Sequence, residues 1–198
     1  MNAVIFDYRA GNLHSLAKAL ARTGVSVSFE ADPVRAASGD ILVLPGVGAF
    51  GSAATRLAPG REAMRTAIDA GLPCLGICLG MQLLFDTSEE GVGEGLGVFA
   101  GRVTRLQSSR VPQIGWNHLE KASEPLAIAA ELEVAYFANG FVCRPQDEGV
   151  VTAWTEHDGD VFPSIVRKGN VVGTQFHPEK SSEPGLRFIE QFILECAR

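Results

Sequence analysis

One stretch of this sequence indicates its fold: Gly71-Leu-Pro-Cys-Leu-Gly-Ile-Cys-Leu-Gly-Met-Gln-Leu-Leu-Phe85. Its apolar residues 73–77 predict a short buried strand, and the residues that follow Cys78 predict the beginning of a helix. Gly76 and Gly80 flank Cys78 in a pattern typical of a sharp strand-to-helix turn that presents a nucleophile. Unpaired backbone N–H groups at a helix N-terminus favour a thiolate, so we predict that Cys78 is a nucleophile rather than a packing residue.

Predicted strands and helices alternate before this stretch. Residues 4–6, 25–29 and 41–44 predict strands, while helical spacing of apolar residues predicts helices over 13–20 and through 63–68. Such alternation is typical of parallel β-α-β units, so we predict an α/β fold with an open, mainly parallel sheet and helices on both faces. The second half predicts a closing helix over 183–197 and strands with short connections, some of them antiparallel, at 98–106, 111–116, 134–142, 150–154, 161–167 and 170–176.

Composition excludes several classes of protein. The chain has 198 residues, of which 46% are hydrophobic, and predicts one domain over residues 1–198. Its net charge of −6 argues against nucleic-acid binding. The sequence contains no run of about 18 apolar residues and no basic leader, so neither a membrane span nor a signal peptide is predicted. Its four cysteines lack the paired spacing of metal or disulfide sites, and we expect a reduced, cytoplasmic protein without metal or cofactor.

A cysteine nucleophile needs a base and a group that orients the base. His177 is the best candidate, because Pro178 disfavours helical geometry and holds residue 177 extended. Alternate side chains of an extended segment point to the same side, so Glu179 can approach the imidazole and fix its tautomer. The other histidines lie in stretches that predict surface or structural positions: His14, His118 and His157.

The carboxyl ends of parallel strands form one rim of a sheet, where ligand sites are built. Residues 7–12, Pro45-Gly-Val-Gly48, Cys78 and His177 all follow predicted strands and would share that rim. The turn at 45–48 frees backbone N–H groups to face a substrate, as does Leu79, and such donors can form an oxyanion hole. An ordinary tight turn is the alternative interpretation of residues 45–48.

Several motifs together resemble the class I, or triad, glutamine amidotransferases, which have a flavodoxin-like sheet. The two central ones are Gly76-Ile-Cys-Leu-Gly-Met-Gln82 and Gln175-Phe-His-Pro-Glu179. Within that family the resemblance is closest to the glutaminase subunits of imidazole glycerol phosphate synthases, which act in histidine biosynthesis. Further matching segments span nearly the whole chain: Asp7-Tyr8, Gly11-Asn12-Leu13, Leu44-Pro-Gly-Val-Gly-Ala-Phe-Gly51, Leu83-Leu-Phe85, Ser88-Glu-Glu-Gly91, Gly115-Trp-Asn117 and His177-Pro-Glu-Lys-Ser181.

The resemblance implies a role for each site residue. Cys78 would attack the side-chain amide of glutamine, His177 would shuttle the proton, and Glu179 would orient the imidazole. The backbone N–H groups of Val47 and Leu79 would hold the oxyanion. Substrate glutamine would be bound by four further residues: Gly46, Gly48, Gln82 and Glu90.

The resemblance also implies a protein partner. Ammonia released into water would be protonated and lost as a nucleophile, so such subunits dock on a synthase and pass ammonia through a sealed channel. For the subunits that this chain resembles, the partner is a (β/α)₈-barrel cyclase that converts a phosphoribulosyl aminoimidazole-carboxamide nucleotide into imidazole glycerol phosphate and an aminoimidazole-carboxamide ribotide. Asn12, Trp116 and Lys180 match positions at or near that interface, and surface residues without a partner are the alternative interpretation.

Three segments depart from the family pattern. Arg9 replaces a usual glycine, Gln113 replaces a common histidine, and Phe137-Ala-Asn-Gly-Phe141 replaces a frequent Val-His-Ser-Tyr in a segment that usually lines the glutamine pocket. These departures leave open a paralogue that feeds ammonia to another synthase, for instance in amidino-sugar formation. A cysteine peptidase or deglycase of similar fold usually carries a histidine where this chain has Leu79. A non-enzymatic binding module predicts that Cys78 does not react with a glutamine-like electrophile.

Overall fold

The computed structural model describes residues 1–11 and 13–197, within which twelve strands and seven α-helices are found. The strands are β1 (Asn2–Phe6), β2 (Ser26–Glu30), β3 (Ile41–Leu44), β4 (Cys74–Ile77), β5 (Thr87–Ser88), β6 (Gly101–Arg105), β7 (Gln113–His118), β8 (Val134–Asn139), β9 (Phe141–Pro145), β10 (Val151–His157), β11 (Asp160–Lys168) and β12 (Val171–Thr174). The helices are α1 (His14–Ala21), α2 (Pro33–Ala36), α3 (Phe50–Leu57), α4 (Arg61–Asp69), α5 (Leu79–Leu83), α6 (Pro125–Ala129) and α7 (Ser182–Cys196). In these two ranges, no helix has both the length and the apolarity that crossing a membrane requires.

Seven of the strands form the central sheet, in the order β10-β11-β12-β4-β3-β1-β2. The five strands from β12 to β2 are parallel, and β11 and β10 extend one edge by antiparallel pairing. The two smaller sheets are β5-β6-β9 and β7-β8. This topology confirms the predicted α/β fold with an open, mainly parallel sheet and antiparallel strands in the second half.

Alternate residues of the central strands build two apolar cores, one on each face of the sheet. On β1, Ile5 belongs to one core, whereas Val4 and Phe6 belong to the other. Helices α1, α6 and α7 cover the first core, and helices α2 to α5 cover the second. Because both faces are covered, all four residues of β3 are buried, which explains its uninterrupted apolar sequence.

The single strand predicted over residues 134–142 is wrong. The segment forms two strands in different sheets, because β8 pairs with β7 whereas β9 pairs with β6. Gly140 lies between them, and its carbonyl accepts a hydrogen bond from the backbone N–H of Leu106. A continuous apolar pattern indicates extended backbone, but it does not indicate with which strand each half of the segment will pair.

Three short helices were not predicted, and two of them begin with recognisable N-terminal signals. Asp32 precedes Pro33 and accepts hydrogen bonds from the first turn of α2, and Glu124 does the same before Pro125 of α6. Helix α3 (Phe50–Leu57) has no side-chain cap of that kind from Ala49. Short helices of this type are stabilised by the core they pack against rather than by their own sequence.

Two glycines allow α5 to begin directly against the central sheet. A Cβ atom on Gly80 would overlap the backbone carbonyl of Leu44 in β3. A Cβ atom on Gly76 would lie 2.8 Å from the backbone carbonyl of Gly80. Neither position therefore has room for a side chain, and this close approach fixes where Cys78, between the two glycines, must lie.

We expect Gly80→Ala to lower the free energy of unfolding by about 3 kcal/mol or more, because a backbone carbonyl cannot move aside as a flexible side chain can. Gly140→Ala is the matched control, since its new methyl group would meet Val111 at an ordinary 3.6 Å. Urea denaturation of both variants measures the difference. Equal stability of the two variants would contradict the close contact between β3 and α5.

Candidate active site

Cys78 occupies a strained turn between β4 and α5. Its backbone has φ 48° and ψ −104°, a combination that costs energy for any residue other than glycine. Its N–H donates to the carbonyl of Thr174 at the end of β12, at 2.6 Å. The residue is also the N-cap of α5, so the first N–H groups of that helix surround it without intrahelical acceptors.

His177 and Glu179 follow the end of β12, the strand next to β4. The backbone N–H of His177 donates to the carbonyl of Tyr136, and the hydroxyl of Ser181 donates to the carbonyl of His177 at 2.7 Å. Nδ1 of His177 lies 2.8 Å from Oε1 of Glu179. The predicted extended conformation of His177 is confirmed, with φ −100° and ψ 97°, but the predicted continuation is wrong, because Pro178–Lys180 is a 3₁₀ turn and not an extended segment.

The imidazole of His177 interacts with two ionisable side chains in a nearly fully buried place. Burial lowers its pKa, but hydrogen bonds and Coulombic attraction to Cys78 and Glu179 outweigh burial and raise the pKa to about 9. The imidazolium is therefore favoured at neutral pH. Because Nδ1 faces Glu179, Nε2 is the nitrogen left for the sulfur of Cys78. The structure thus brings together the three residues of the predicted triad.

The glycine turn at residues 45–48 lies directly against this triad. A Cβ atom on Gly46 would come within 2.8 Å of Cε1 of His177 and within 3.0 Å of Cβ of Cys78. Gly48 has φ +98°, and a Cβ atom there would lie 3.7 Å from the side chain of Leu79. The backbone of Val47 therefore lies between two glycines that pack against Cys78 and Leu79.

The two side chains predicted to bind substrate have different surroundings. Gln82 is buried in α5, and its Nε2 donates to the carbonyl of Phe141 at 3.1 Å. Glu90 is farther along the chain and accepts a hydrogen bond from the N–H of Phe50 at 2.8 Å through Oε2. Glu90 therefore caps the helix that follows the glycine turn, and among the described residues no hydrogen bond to its Oε1 is found.

Two of the three residues predicted at a partner interface are described, and both lie on the surface beside the triad. Trp116 is 54% exposed on β7, where its ring packs edge-on against Tyr136, whose carbonyl binds His177. Lys180 is exposed and ends the turn that carries Glu179. Asn12 lies outside the described residues.

Residues 4–196 match the family described as glutamine amidotransferase class-I. The chain belongs to the class I glutamine amidotransferase family. Membership confirms the prediction that it is an enzyme of the glutamine amidotransferase class.

The imidazole glycerol phosphate synthase subunit HisH of Halobacterium salinarum is 43% identical over 204 residues, covering 98% of this chain and 93% of that protein. HisH of Aquifex aeolicus is 44% identical over 199 residues, covering 97% and 96%. Both confirm the resemblance to imidazole glycerol phosphate synthase subunits that the motifs predict.

Solved structures agree with the fold of this amidotransferase. A crystal structure described as glutamine amidotransferase superposes with a TM-score of 0.75 at 24% identity, covering 98% of each chain. The structure of PurLQS from Thermotoga maritima superposes with a TM-score of 0.71 at 22% identity, covering 100% of this chain and 99% of that one. At such identities the likeness concerns the fold alone, and it confirms the predicted fold class.

The structure shows the surroundings of the three departures of this amidotransferase from its family pattern. Arg9 has φ 59°, a left-handed conformation that glycine adopts without strain, and its N–H donates to the side chain of Asp7 at 2.7 Å. Gln113 and Asn139 are direct partners across β7 and β8, and both are nearly fully buried. The two amide-bearing departures are therefore neighbours in space.

Sequence reasoning missed Gln175 as part of this site. Its side chain is fully buried, and its Nε2 lies 3.6 Å from the sulfur of Cys78. Gln175 and His177 are alternate residues, so a polar side chain two positions before the catalytic histidine was the available signal. Within the described parts of the chain, no group of three or more His, Cys, Asp or Glu side chains could hold a metal ion.

We expect the stability of the amidotransferase to fall as the pH rises from about 6.5 to 9. A histidine whose folded pKa lies above its unfolded value stabilises the fold fully below the unfolded pKa, and that contribution is lost as the pH passes the folded pKa of about 9. The loss is on the order of 3 kcal/mol. Urea denaturation over this pH range measures it.

His177→Asn should abolish this decline, and Glu179→Gln should reduce it because one of the two attractive partners is removed. A decline of the same size in His177→Asn and in the unmodified protein would contradict the assignment to His177.

Proposed function

We propose that this chain is the glutaminase subunit of an imidazole glycerol phosphate synthase, which hydrolyses glutamine and passes the ammonia to a (β/α)₈-barrel cyclase. The observation that carries the proposal is the arrangement of Cys78, His177 and Glu179 at the carboxyl ends of two adjacent strands. Relatives that are named as subunits of that synthase, at 43–44% identity, support the choice of pathway.

The triad supports a two-step hydrolysis. The Cys78 sulfur attacks the side-chain carbonyl carbon of glutamine, and the resulting tetrahedral intermediate collapses as Nε2 of His177 gives its proton to the leaving ammonia. The products of this step are ammonia and a glutamyl thioester. Water then attacks the thioester, His177 takes one proton from the water, and the sulfur leaves with glutamate as the product. Glu179 keeps the imidazole oriented through Nδ1 in both steps.

The oxyanion of each intermediate needs hydrogen-bond donors beside the sulfur. Leu79 is the first residue of α5, so its N–H has no intrahelical acceptor. The N–H of Val47 belongs to the turn that touches Cys78 and His177 through Gly46. We assign the oxyanion hole to these two donors, and losing one such donor costs about 3–4 kcal/mol of transition-state stabilisation.

The amino-acid end of glutamine needs oppositely charged and polar partners. Glu90 is suited to the α-ammonium group, because its Oε2 is held by the N–H of Phe50 while its Oε1 can accept a further bond. The backbone of Gly46 lies beside Cys78 and that of Gly48 beside Leu79, and we assign both to contacts with the substrate on the other side. Gln82 would bind the substrate from the buried end of the site.

The cyclase is assigned to the rim around Trp116 and Lys180. On β7, Ile114 is 69% exposed and Trp116 is 54% exposed, so two large apolar side chains face solvent on one side of the strand. Lys180 adds a positive charge next to the triad, and Asn12 belongs to the same predicted interface. An interface there would cover the site and prevent protonation of ammonia by bulk water.

Cys78→Ala tests whether this chain hydrolyses glutamine while the partner carries out the synthase reaction. In a complex with the cyclase, we expect the variant to lose glutamine-dependent synthesis and glutamate release completely, because no thioester can form. Synthesis with added ammonium salt should remain, because the cyclase chemistry lies on the partner. Product formation from either nitrogen source, measured with the nucleotide substrate present, gives both activities.

Cys74→Ala is the matched control, since Cys74 is a fully buried cysteine at the beginning of β4 and belongs to the apolar core on the other face of the sheet from Cys78. It should retain both activities. If Cys78→Ala loses both activities together, or if the unmodified complex releases no glutamate, the proposed function is wrong.

A further inference from the structure

Gln175 joins the nucleophile to another polar side chain inside the protein. Its Nε2 lies 3.6 Å from the sulfur of Cys78, and its Oε1 lies 3.5 Å from Nε2 of Gln82. Nε2 of Gln82 also donates to the backbone carbonyl of Phe141. Both glutamine side chains are nearly or fully buried. A continuous string of polar groups therefore runs from Phe141 through two amides to the sulfur.

The carbonyl of Phe141 fixes the direction of every hydrogen bond in this string. A backbone carbonyl can only accept, so Gln82 must turn its NH₂ group toward Phe141. The same NH₂ group offers its second hydrogen to Gln175, which must therefore accept with its oxygen. This leaves the NH₂ group of Gln175 facing the sulfur. The Cys78 sulfur consequently accepts a hydrogen bond from the buried amide of Gln175.

The backbone of Gln175 is held in place on two sides. Its N–H donates to the carbonyl of Ser164 in β11 at 2.9 Å, and the preceding residue, Thr174, accepts the N–H of Cys78. The next residue, Phe176, is fully buried and packs against the rings of Phe137 and Phe188. The amide of Gln175 is therefore aimed at the sulfur from a segment that cannot shift without disrupting the core.

We infer that Gln175 is a positioning residue for the nucleophile, whose amide N–H orients and stabilises the Cys78 thiolate while Gln82 locks the direction of that amide. Hydrogen bonds to a charged acceptor are roughly twice as strong as those between neutral groups, so the N–H group favours the thiolate over the thiol. A buried amide is also costly unless it is hydrogen-bonded, and an apolar side chain of equal length would avoid that cost. The catalytic consequence of this inference rests on the proposed function, but the contact with the sulfur does not.

The rate at which iodoacetamide labels Cys78 at pH 8 tests the inference in the full chain. Gln175→Met keeps the length of the side chain but removes the donor, so labelling should slow by about tenfold. Gln175→Glu keeps the shape but places a carboxylate beside the sulfur, so labelling should be slower still. Peptide mass spectrometry assigns the label to Cys78.

Ser164→Ala is the matched control for these variants. It changes the residue whose carbonyl holds Gln175, but it removes only a buried hydroxyl that has no hydrogen-bond partner among the described residues. Its labelling rate should equal that of the unmodified chain. A purely structural role of Gln175 predicts that the isosteric Gln175→Glu labels at least as fast as Gln175→Met, and that order would overturn the inference.

Kinetics in the complex with the cyclase give a second readout. Gln175→Met should lower kcat for glutamine by about tenfold and leave KM within about twofold, because the amide touches the sulfur and not the substrate. Synthesis with ammonium salt should be unchanged, because the cyclase chemistry lies on the partner, and co-purification of the variant with the cyclase shows that it is folded and docked. Labelling and kcat of both Gln175 variants within twofold of the unmodified protein would overturn the inference. If the unmodified complex releases no glutamate while the labelling order holds, the proposed function fails and the inference stands.

Discussion

The close contact between α5 and the carbonyl of Leu44 is the constraint on which the rest of the site depends. It requires glycine at position 80, and it leaves the chain no room for a gradual turn between β4 and the helix. Cys78 therefore adopts a positive φ that is unfavourable for cysteine. The strain is stored in a residue whose neighbours are held by the sheet, so the sulfur is presented at one defined point of the rim.

The second half of the triad depends on the same sheet. β12 lies beside β4 in parallel register, with Thr174 opposite Ile77, so the residues that follow each strand come together. His177, Glu179 and Gln175 all derive from the end of β12, whereas the donors predicted for the oxyanion come from the turns after β3 and β4. Three adjacent parallel strands thus supply the triad and the predicted oxyanion donors, while β8 of a smaller sheet brings the carbonyl of Ala138 to 4.0 Å from the sulfur.

The sequence was sufficient for features that depend on local chemistry. The glycines around Cys78 are a local requirement of a tight turn, and the buried strands are marked by their apolar residues. The extended conformation of His177 was predicted correctly from Pro178, but the 3₁₀ turn over Pro178–Lys180, which carries Glu179 to the imidazole, was not predicted. The choice of partners for β8 and β9 could not be predicted, because it depends on neighbours distant in the sequence. Gln175 was missed because its role depends on the direction of two amides, which only the carbonyl of Phe141 determines.

Trapping the thioester on Cys78 tests the role of this residue as the nucleophile most directly. A complex with the cyclase is quenched in acid during turnover of glutamine, digested, and analysed by peptide mass spectrometry. Covalent catalysis by Cys78 predicts a glutamyl adduct on the peptide that contains this residue. Glutamate that accumulates without any adduct on Cys78, or with the adduct on another residue, would contradict the central claim.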